Sequence, residues 1–447
     1  MSDHLVSELA MKSGSSKYQV FGRVQRALAS IGPGFVYLLT ILGAGDIVSN
    51  ATAGASYGYQ LIWALGLTLI FRFIWVNISA RYVLVTGESL LTGYGRLGSW
   101  FPLFFLLTLI PIRHMANLYA ILIIGTSADL LFPLPTQYSM PIWGFLFAFL
   151  GFSLTYWGGY SGVEFACKLM VGLLGGALVL AAALSNPDPS AILRGIFIPV
   201  LPEAEGLYSA IFLVMALIGT EVGSHTNLSY AYFMYEKGWR DTSYLKQQRF
   251  DLVMGIVAMF IMGMLLQVAA AGVIHPLGID VEGADDLARV FSETLGVVGH
   301  MIFGLGLWAA AFSTFVCGNT GGCLIFTDIC RTFVPRLNSV DTKKEGYSAV
   351  KDPLFRGSLI FWSFSPLYIL FSGVRPVGLV LMVNSLYVFL IPMLVIALLV
   401  ITNDAKLMGK YKNGWITNVV MTVLVLFSLY FTYQLAGELV ADVGTFF

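Results

Sequence analysis

Long apolar stretches alternate with short polar connections along almost the whole chain. Each stretch holds about 20 residues or more, the length that an α-helix needs to cross the hydrocarbon core of a bilayer. The pattern predicts an all-α polytopic membrane protein with about eleven transmembrane helices. A short amphipathic helix is also expected at 284–295, before the eighth span. Numbered in chain order, the predicted spans cover 33–58, 60–87, 102–131, 139–159, 162–184, 206–235, 250–274, 296–328, 353–372, 376–401 and 415–437.

The polar connections are too short to form a separate soluble domain. The longest is the basic stretch 329–352, and the first 30 residues are also polar and basic. We therefore predict a cytoplasmic tail at 1–30, followed by one transmembrane domain at 31–437.

Basic residues collect in alternate connections, and this indicates how the chain is oriented. One side of the predicted membrane carries the tail, 237–249 and 329–352, whereas the other side holds only Arg194, Arg289 and Arg375. Cytoplasmic connections of membrane proteins carry the excess of Lys and Arg. We expect a multi-pass protein of the cell membrane with a cytoplasmic N-terminus. An odd number of spans then places the C-terminus on the extracellular or periplasmic side.

The composition strengthens this picture and excludes several classes of function. Of the 447 residues, 57% are hydrophobic and 11% are charged, against about 25% charged residues in soluble proteins. The formal net charge is zero, so no global attraction to nucleic acid is implied. No nucleophile motif, phosphate-binding loop or HExxH zinc pattern is present. We expect no enzymatic activity and no resident cofactor, and we expect a monomer surrounded by lipid.

Two spans are interrupted at their middle by glycines and acids. The first reads Gly-Ala-Gly-Asp at 43–46, and the sixth reads Gly-Thr-Glu-Val-Gly-Ser-His at 219–225. A carboxylate at membrane depth, here Asp46 or Glu221, is costly and by default marks a functional site. Glycine weakens the helix, and the carbonyl groups that a break frees are tolerated only where protein buries them or water reaches them.

The two breaks lie five spans apart, which is the pattern of an inverted repeat with a binding site near the bilayer midplane. We predict one repeat at 31–185, a second at 205–401 and an added helix at 415–437. The expected fold is LeuT-like, with discontinuous helices 1 and 6, and the expected function is transport.

The sequence around these breaks resembles the NRAMP family of divalent-metal transporters. The resemblance begins at Gly-Pro-Gly (32–34) and continues through Ala-Gly-Ala-Ser-Tyr-Gly-Tyr (53–59) and Val-Thr-Gly-Glu-Ser-Leu (85–90). It recurs in the sixth span and covers nearly the whole chain. The resemblance implies the discontinuous-helix fold, and the eleven-span members of the family match the number of spans predicted here.

At both breaks the sequence departs from the family pattern. Where the family has Asp-Pro-Gly-Asn, this chain has Gly-Ala-Gly-Asp, and where the family has Met-Pro-His, this chain has Gly-Ser-His at 223–225. The family's aspartate and its soft methionine ligand are therefore missing. Asp46 stands at the asparagine position, and Glu221 adds a second acid. This pattern is most similar to the Nramp-related magnesium transporter branch.

The missing sulfur changes the expected substrate. A thioether suits softer transition metals, whereas carboxylate, carbonyl and water suit Mg²⁺ and Mn²⁺. Glycine in place of methionine is also expected to open volume for an ion that keeps several waters, as Mg²⁺ does. Thr40 and Thr220 would contribute backbone carbonyls, and Asn384 matches a polar amide of the family's tenth span. The predicted metal site contains Asp46, Glu221, Gly223, Thr40, Thr220, His225, Gly43 and Asn384.

Each candidate also has a purely structural explanation. Asp46 would cap the outer half of the first helix, and Glu221 would pair with a basic residue or stay protonated. His225 would be a packing histidine held by a hydrogen bond. Asn384 would join two helices by a hydrogen bond, and the glycines would only break their helices.

The third span lacks ionisable side chains where the family has the acids of its proton path. The resemblance aligns those acids with Asn117 and Ala120, and it aligns a basic pair of the ninth span with Arg356 and Gly357. Proton relays in membranes use chains of Asp, Glu and His, and His225 by itself is not a chain. We therefore expect transport without obligatory proton coupling.

The preferred hypothesis is a uniporter or secondary transporter that binds partly hydrated Mg²⁺, or Mn²⁺, at the membrane midplane. A proton-coupled Mn²⁺ or Fe²⁺ symporter of the ordinary family type is the first alternative. An amino-acid transporter of the same architecture is the second, although two acids at the breaks would repel the carboxylate of an amino acid.

Overall fold

The computed structural model describes residues 43–203, 208–223, 226–278, 284–338, 348–374 and 376–441. Regular structure within these ranges is helical throughout, as the apolar pattern predicts. Nine helices of the described residues are long and apolar enough to cross a membrane. Of the two other predicted spans, the first is described only from residue 43 onward, and the fifth appears as the shorter apolar helix Gly172–Leu184.

Two helices of the first predicted repeat follow each other with a sharp change of direction between them. The fourth and fifth spans meet at Gly159, where φ is +56°. Glycine adopts this conformation at little cost, so the chain turns between the two spans without a loop. Short helices at Leu90–Gly95 and Pro189–Phe197 follow the second and fifth spans. The main helices of this half are Ala44–Tyr57, Ile62–Thr86, Trp100–Leu131 and Ser139–Leu184.

The second half contains more interruptions. The sixth span holds a π-helical turn at Gly219–Gly223, and the tenth holds a 3-10 segment at Tyr387–Leu390. Gly296, with φ +64°, separates the eighth span from a preceding helical segment at 284–295, where a short helix was expected. The longer helices of this half are Ala210–Ile218, Thr226–Glu236, Leu245–Val273, Ala284–Phe333, Pro353–Phe364, Ser365–Phe371 (3-10), Pro376–Leu386, Ile391–Asn403 and Trp415–Ala441. Single helical turns lie at Thr242–Tyr244, His275–Leu277, Ala349–Lys351, Ala405–Met408 and Gly409–Tyr411.

The eighth span lies at the centre of the bundle. It packs along the third span and along the joined fourth and fifth spans, while the first span packs on the seventh. Protein buries 82% of the most apolar window of the eighth span, against 28% for the eleventh. The first and sixth spans contact each other, and both contact the tenth. Both breaks are therefore enclosed by helices.

The outer surface of the bundle is apolar. Large hydrophobic side chains such as Leu107, Trp157 and Phe165 are each at least 70% exposed. A soluble monomer rarely exposes extended apolar surface. Together with the length of the helices, this surface identifies an integral multi-pass membrane protein.

Candidate functional site

The predicted break in the first span lies next to a carboxylate that protein encloses. The described helix begins at Ala44, directly after Gly43, whose backbone is extended. The amide of Gly43 donates a hydrogen bond to Oδ2 of Asp46 over 3.4 Å, so Asp46 does cap the helix start. Asp46 is nevertheless fully buried, and its Oδ1 accepts no hydrogen bond from the described residues. Because an uncompensated buried carboxylate oxygen is costly, capping alone does not explain Asp46.

The break in the sixth span takes the form of the π-helical turn. Such turns are rare and occur frequently at functional sites. The turn carries Thr220 and Glu221, both buried. The Thr220 hydroxyl donates to the carbonyl of Ala216 over 2.8 Å, and its oxygen lone pairs stay available to a cation, as does the backbone carbonyl. The α-helix resumes at Thr226.

The glycines of the sixth span allow the tenth span to approach closely. A Cβ at Gly219 would overlap the carbonyl oxygen of Asn384, and one at Gly223 would lie 2.5 Å from the carbonyl oxygen of Tyr387. The volume expected at Gly223 is therefore filled by backbone. The expectation of open volume at this position was wrong. The absence of a side chain at Gly223 lets the carbonyl oxygen of Tyr387 approach.

Asn384 joins the first and tenth spans beside Asp46. Its Nδ2 donates to the carbonyl of Gly45 over 3.3 Å and to the hydroxyl of Ser49 over 3.2 Å. Asn384 is fully buried, and its Oδ1 has no hydrogen-bond donor among the described residues. The interhelical hydrogen bond thus exists, and it uses only the nitrogen of the amide. An oxygen remains that could bind a cation.

Arg72 of the second span is a site residue that the sequence analysis missed. Its guanidinium NH1 forms an ion pair with Oε2 of Glu221, and both side chains are almost completely buried. Its Nε donates to Oδ1 of Asn227 over 3.1 Å, and NH1 lies 3.8 Å from the sulfur of Met259. The pairing of Glu221 with a basic residue, the structural alternative for this acid, is therefore observed. The signal was present, because Arg72 interrupts an apolar span near its middle.

Asn227 ties this arginine to the broken backbone. Its Nδ2 donates to the carbonyl of Val222 over 2.7 Å and to that of Glu221 over 3.3 Å. Asn227 thus satisfies backbone groups at the break while its oxygen accepts from Arg72. Thr314 of the eighth span was also missed; its hydroxyl occupies the position that a side chain at Gly43 would take.

Electrostatic interactions join the described acids of the two breaks with Arg72 of the second span. Asp46 interacts with Glu221 and with Arg72. Two neighbouring carboxylates disfavour each other's ionised form, and one guanidinium balances only one of them. One guanidinium cannot balance two ionised carboxylates, so a bound cation would balance the second. Within the described ranges no three His, Cys, Asp or Glu side chains come together as a metal site, so amide, carbonyl or water oxygens would complete the ligand set.

The predicted site residues are thus only partly brought together. Asp46, Glu221 and Asn384 surround the two breaks, and Gly43, Thr220 and Gly223 belong to the broken segments themselves. Thr40 and His225 lie outside the described residues.

The third span carries a network of amides around a buried arginine. Arg113 donates to Oδ1 of Asn117. The Nδ2 of Asn117 donates to Oδ1 of Asn319 over 2.7 Å and to the carbonyl of Trp362 over 2.9 Å. Ala120 is completely buried. Amide side chains do not release or accept protons near neutral pH. This network is therefore a packing device between the third, eighth and ninth spans.

Comparison with known families shows which family the chain belongs to. The sequence profile of the family described as Natural resistance-associated macrophage protein-like matches residues 34–437. The chain belongs to this family, Nramp. The protein is accordingly a membrane transporter and not an enzyme.

Curated Nramp relatives match over most of their length. The divalent metal cation transporter MntH of Caldanaerobacter subterraneus is 23% identical over 414 residues, which cover 87% of this chain and 88% of that protein. The protein of the same name from Bacillus subtilis is 23% identical over 415 residues, covering 89% and 90%.

Solved structures confirm the predicted discontinuous-helix fold. The Eremococcus coleocola manganese transporter superimposes with a TM-score of 0.71 at 16% identity, covering 94% of this chain and 89% of that chain. Mhp1, a nucleobase-cation-symport-1 family transporter, superimposes with a TM-score of 0.55 at 15% identity, covering 93% and 94%. At such low identities these likenesses establish the architecture and leave the substrate open.

Proposed function

We propose that the protein moves Mg²⁺, and also Mn²⁺, across the membrane without obligatory proton coupling. The names of its relatives, divalent metal cation transporters and a manganese transporter, support the broader class of substrate. The observation that carries the proposal is the buried pair of carboxylates at the two breaks, Asp46 and Glu221, balanced by the single guanidinium of Arg72. One guanidinium cannot neutralise two ionised carboxylates, so a bound cation would complete the neutralisation of this cluster.

The donor chemistry favours a hard ion. Asp46 and Asn384 each offer a buried oxygen that no described residue satisfies, and the broken segments offer backbone carbonyls. At position 223 a glycine packed against a carbonyl replaces the sulfur ligand of the family. Hard oxygen donors suit Mg²⁺ and Mn²⁺. With few protein ligands, the ion would keep several of its waters, as Mg²⁺ generally does.

The absence of proton coupling rests on the third span. Asn117 and Ala120 stand at the positions of the family's proton-path acids, and neither can ionise. The membrane potential suffices as a driving force, because moving a divalent cation through 100 mV yields about 4.6 kcal/mol. That energy supports roughly a thousandfold accumulation. A cytoplasmic N-terminus is part of the proposal, since it follows from the basic connections, and so is a monomeric state.

Flux into liposomes tests this function directly. Purified protein is reconstituted into liposomes that contain either a Mg²⁺-sensitive or a pH-sensitive dye, and a potassium diffusion potential is applied. We expect saturable Mg²⁺ influx that competes with Mn²⁺, while lumenal pH stays at the level of protein-free liposomes. Lumenal acidification that follows metal influx would exclude the uncoupled mechanism.

A proton-coupled Mn²⁺ symporter is the second candidate, because several relatives bear the name MntH. The same liposomes separate the two functions. If a millimolar excess of Mg²⁺ leaves Mn²⁺ influx unchanged and the lumen acidifies, the symporter is the correct assignment.

A further inference from the structure

Arg72 places a fixed positive charge inside the predicted transport site. It lies on the second span, away from both breaks in sequence, and its side chain is completely buried. Its ion pair with Glu221 joins residues 149 positions apart. A buried arginine cannot lose its charge, so it contributes one positive unit to the site in every state of the transport cycle.

The charge balance changes greatly with this residue. With Arg72, the Glu221 carboxylate of the empty site is balanced by a guanidinium. Without it, Glu221 would be buried beside Asp46 with no basic partner among the described residues. Breaking a buried ion pair by removing one partner is strongly unfavourable, since the other charge stays uncompensated. The empty site is therefore much less favourable in the membrane without Arg72.

We propose that Arg72 is the internal counter-charge of the transport site. It pairs with Glu221 while the site is empty and gives up this carboxylate when the divalent cation binds. The inference rests on the proposed function and deepens it, because it names the residue that lets the unloaded transporter change conformation. No proton or second ion is then needed for the return step.

This role predicts a difference between two modes of transport. Net influx requires the empty site to cross between the two conformations in every cycle. Exchange of metal outside for metal inside requires only the loaded site to cross. Loss of the guanidinium charge should therefore slow net influx far more than exchange, because a divalent cation can balance the two acids by itself.

A purely structural role predicts a different result. Arg72 also donates to Asn227, which holds the carbonyls of the break. If Arg72 only maintained the shape of the π-helical turn, its loss would reduce both modes equally. The ratio of net influx to exchange therefore separates the two roles.

The experiment uses ⁵⁴Mn²⁺ as the probe with full-length protein in liposomes. Net influx is measured into metal-free liposomes at a clamped potential, and exchange is measured into liposomes preloaded with unlabelled Mn²⁺. Arg72→Gln removes the charge and keeps side-chain donors, whereas Arg72→Lys keeps the charge. Arg194→Gln, in the short helix Pro189–Phe197, is the control. We expect Arg72→Gln to lower the ratio of net influx to exchange at least about tenfold, or about 1.4 kcal/mol. Arg72→Lys and the control should keep the wild-type ratio.

Other outcomes would overturn the proposal. An unchanged ratio in Arg72→Gln, whether both rates fall or neither does, leaves Arg72 with a structural role only. If Arg72→Gln does not fold, Arg72→Lys decides, since a lowered ratio in a variant that keeps the charge contradicts a counter-charge role. Wild-type protein that moves neither Mn²⁺ nor Mg²⁺ in either mode would instead refute the proposed function itself.

Discussion

Arg72 and Arg113 are both almost completely buried within spans of the described residues, and their surroundings differ. Arg72 lies against the carboxylate of Glu221 and interacts with Asp46 at the two broken helices. Arg113 of the third span donates to the amide oxygen of Asn117, within a network of neutral partners. The first cluster contains acids that a cation could draw away from the guanidinium, whereas the second contains only neutral amide and carbonyl partners.

The difference separates binding from packing. A carboxylate that is paired with a guanidinium can bind a metal ion instead, because the cation replaces the positive charge of the guanidinium. An amide oxygen offers only a dipole, and the Asn117 nitrogen is already committed to Asn319 and to the carbonyl of Trp362. We therefore locate the cation site at the breaks and treat the amide cluster as a rigid connection between helices.

Removal of Asp46 is expected to have the largest effect on transport. Asp46→Ala deletes a buried carboxylate whose Oδ1 has no donor among the described residues. We expect Mg²⁺ influx into liposomes to fall at least about tenfold, equivalent to about 1.4 kcal/mol of binding. Calorimetric titration with Mg²⁺ checks the affinity separately. Wild-type influx and affinity in this variant would place the cation site elsewhere.

A side chain at Gly223 is expected to have the next largest effect. In Gly223→Ala the new Cβ would lie 2.5 Å from the carbonyl oxygen of Tyr387, and backbone there cannot move as easily as a flexible side chain. We expect lower thermal stability and several-fold slower influx, because the sixth and tenth spans must separate. Overpacking of this kind typically costs about 1–3 kcal/mol.

The matched control for this change is Gly176→Ala. Gly176 lies in the helix of the fifth span, with no heavy atom within 4 Å of the new Cβ. Alanine in a helix is favoured over glycine by roughly 0.5–1 kcal/mol, so stability should stay equal or rise. Equal losses in the two variants would mean that the close approach at Gly223 is unimportant.

Asn117→Leu is expected to have the smallest effect on transport and to sharpen the contrast between the two clusters. The change removes an acceptor of Arg113 and two hydrogen bonds to the eighth and ninth spans. Leaving buried polar groups without partners costs roughly 1–3 kcal/mol. We expect a lower thermal unfolding midpoint in detergent with an unchanged Mg²⁺ affinity. A loss of affinity as large as that of Asp46→Ala would remove the distinction between binding and packing.

Much of the candidate site could be found from local sequence signals. Asp46 and Glu221 stand out as acids in apolar spans, and the glycines beside them indicate broken helices. Arg72 also interrupts an apolar span, but its sequence position does not show that it pairs with Glu221. The expectation of open volume at Gly223 was wrong, because the space around a residue depends on which helix packs against it.

The sequence by itself determined the all-helical membrane architecture, most of its spans and the position of the break in the sixth span. These are local properties: the length of an apolar run decides whether it crosses the bilayer, and glycines with acids decide where a helix is interrupted. Only the tertiary structure decided that Glu221 pairs with Arg72, that Asn384 bonds to Gly45 and that Tyr387 closes on Gly223. Such pairings join residues far apart in the chain, and the packing of the helices sets them.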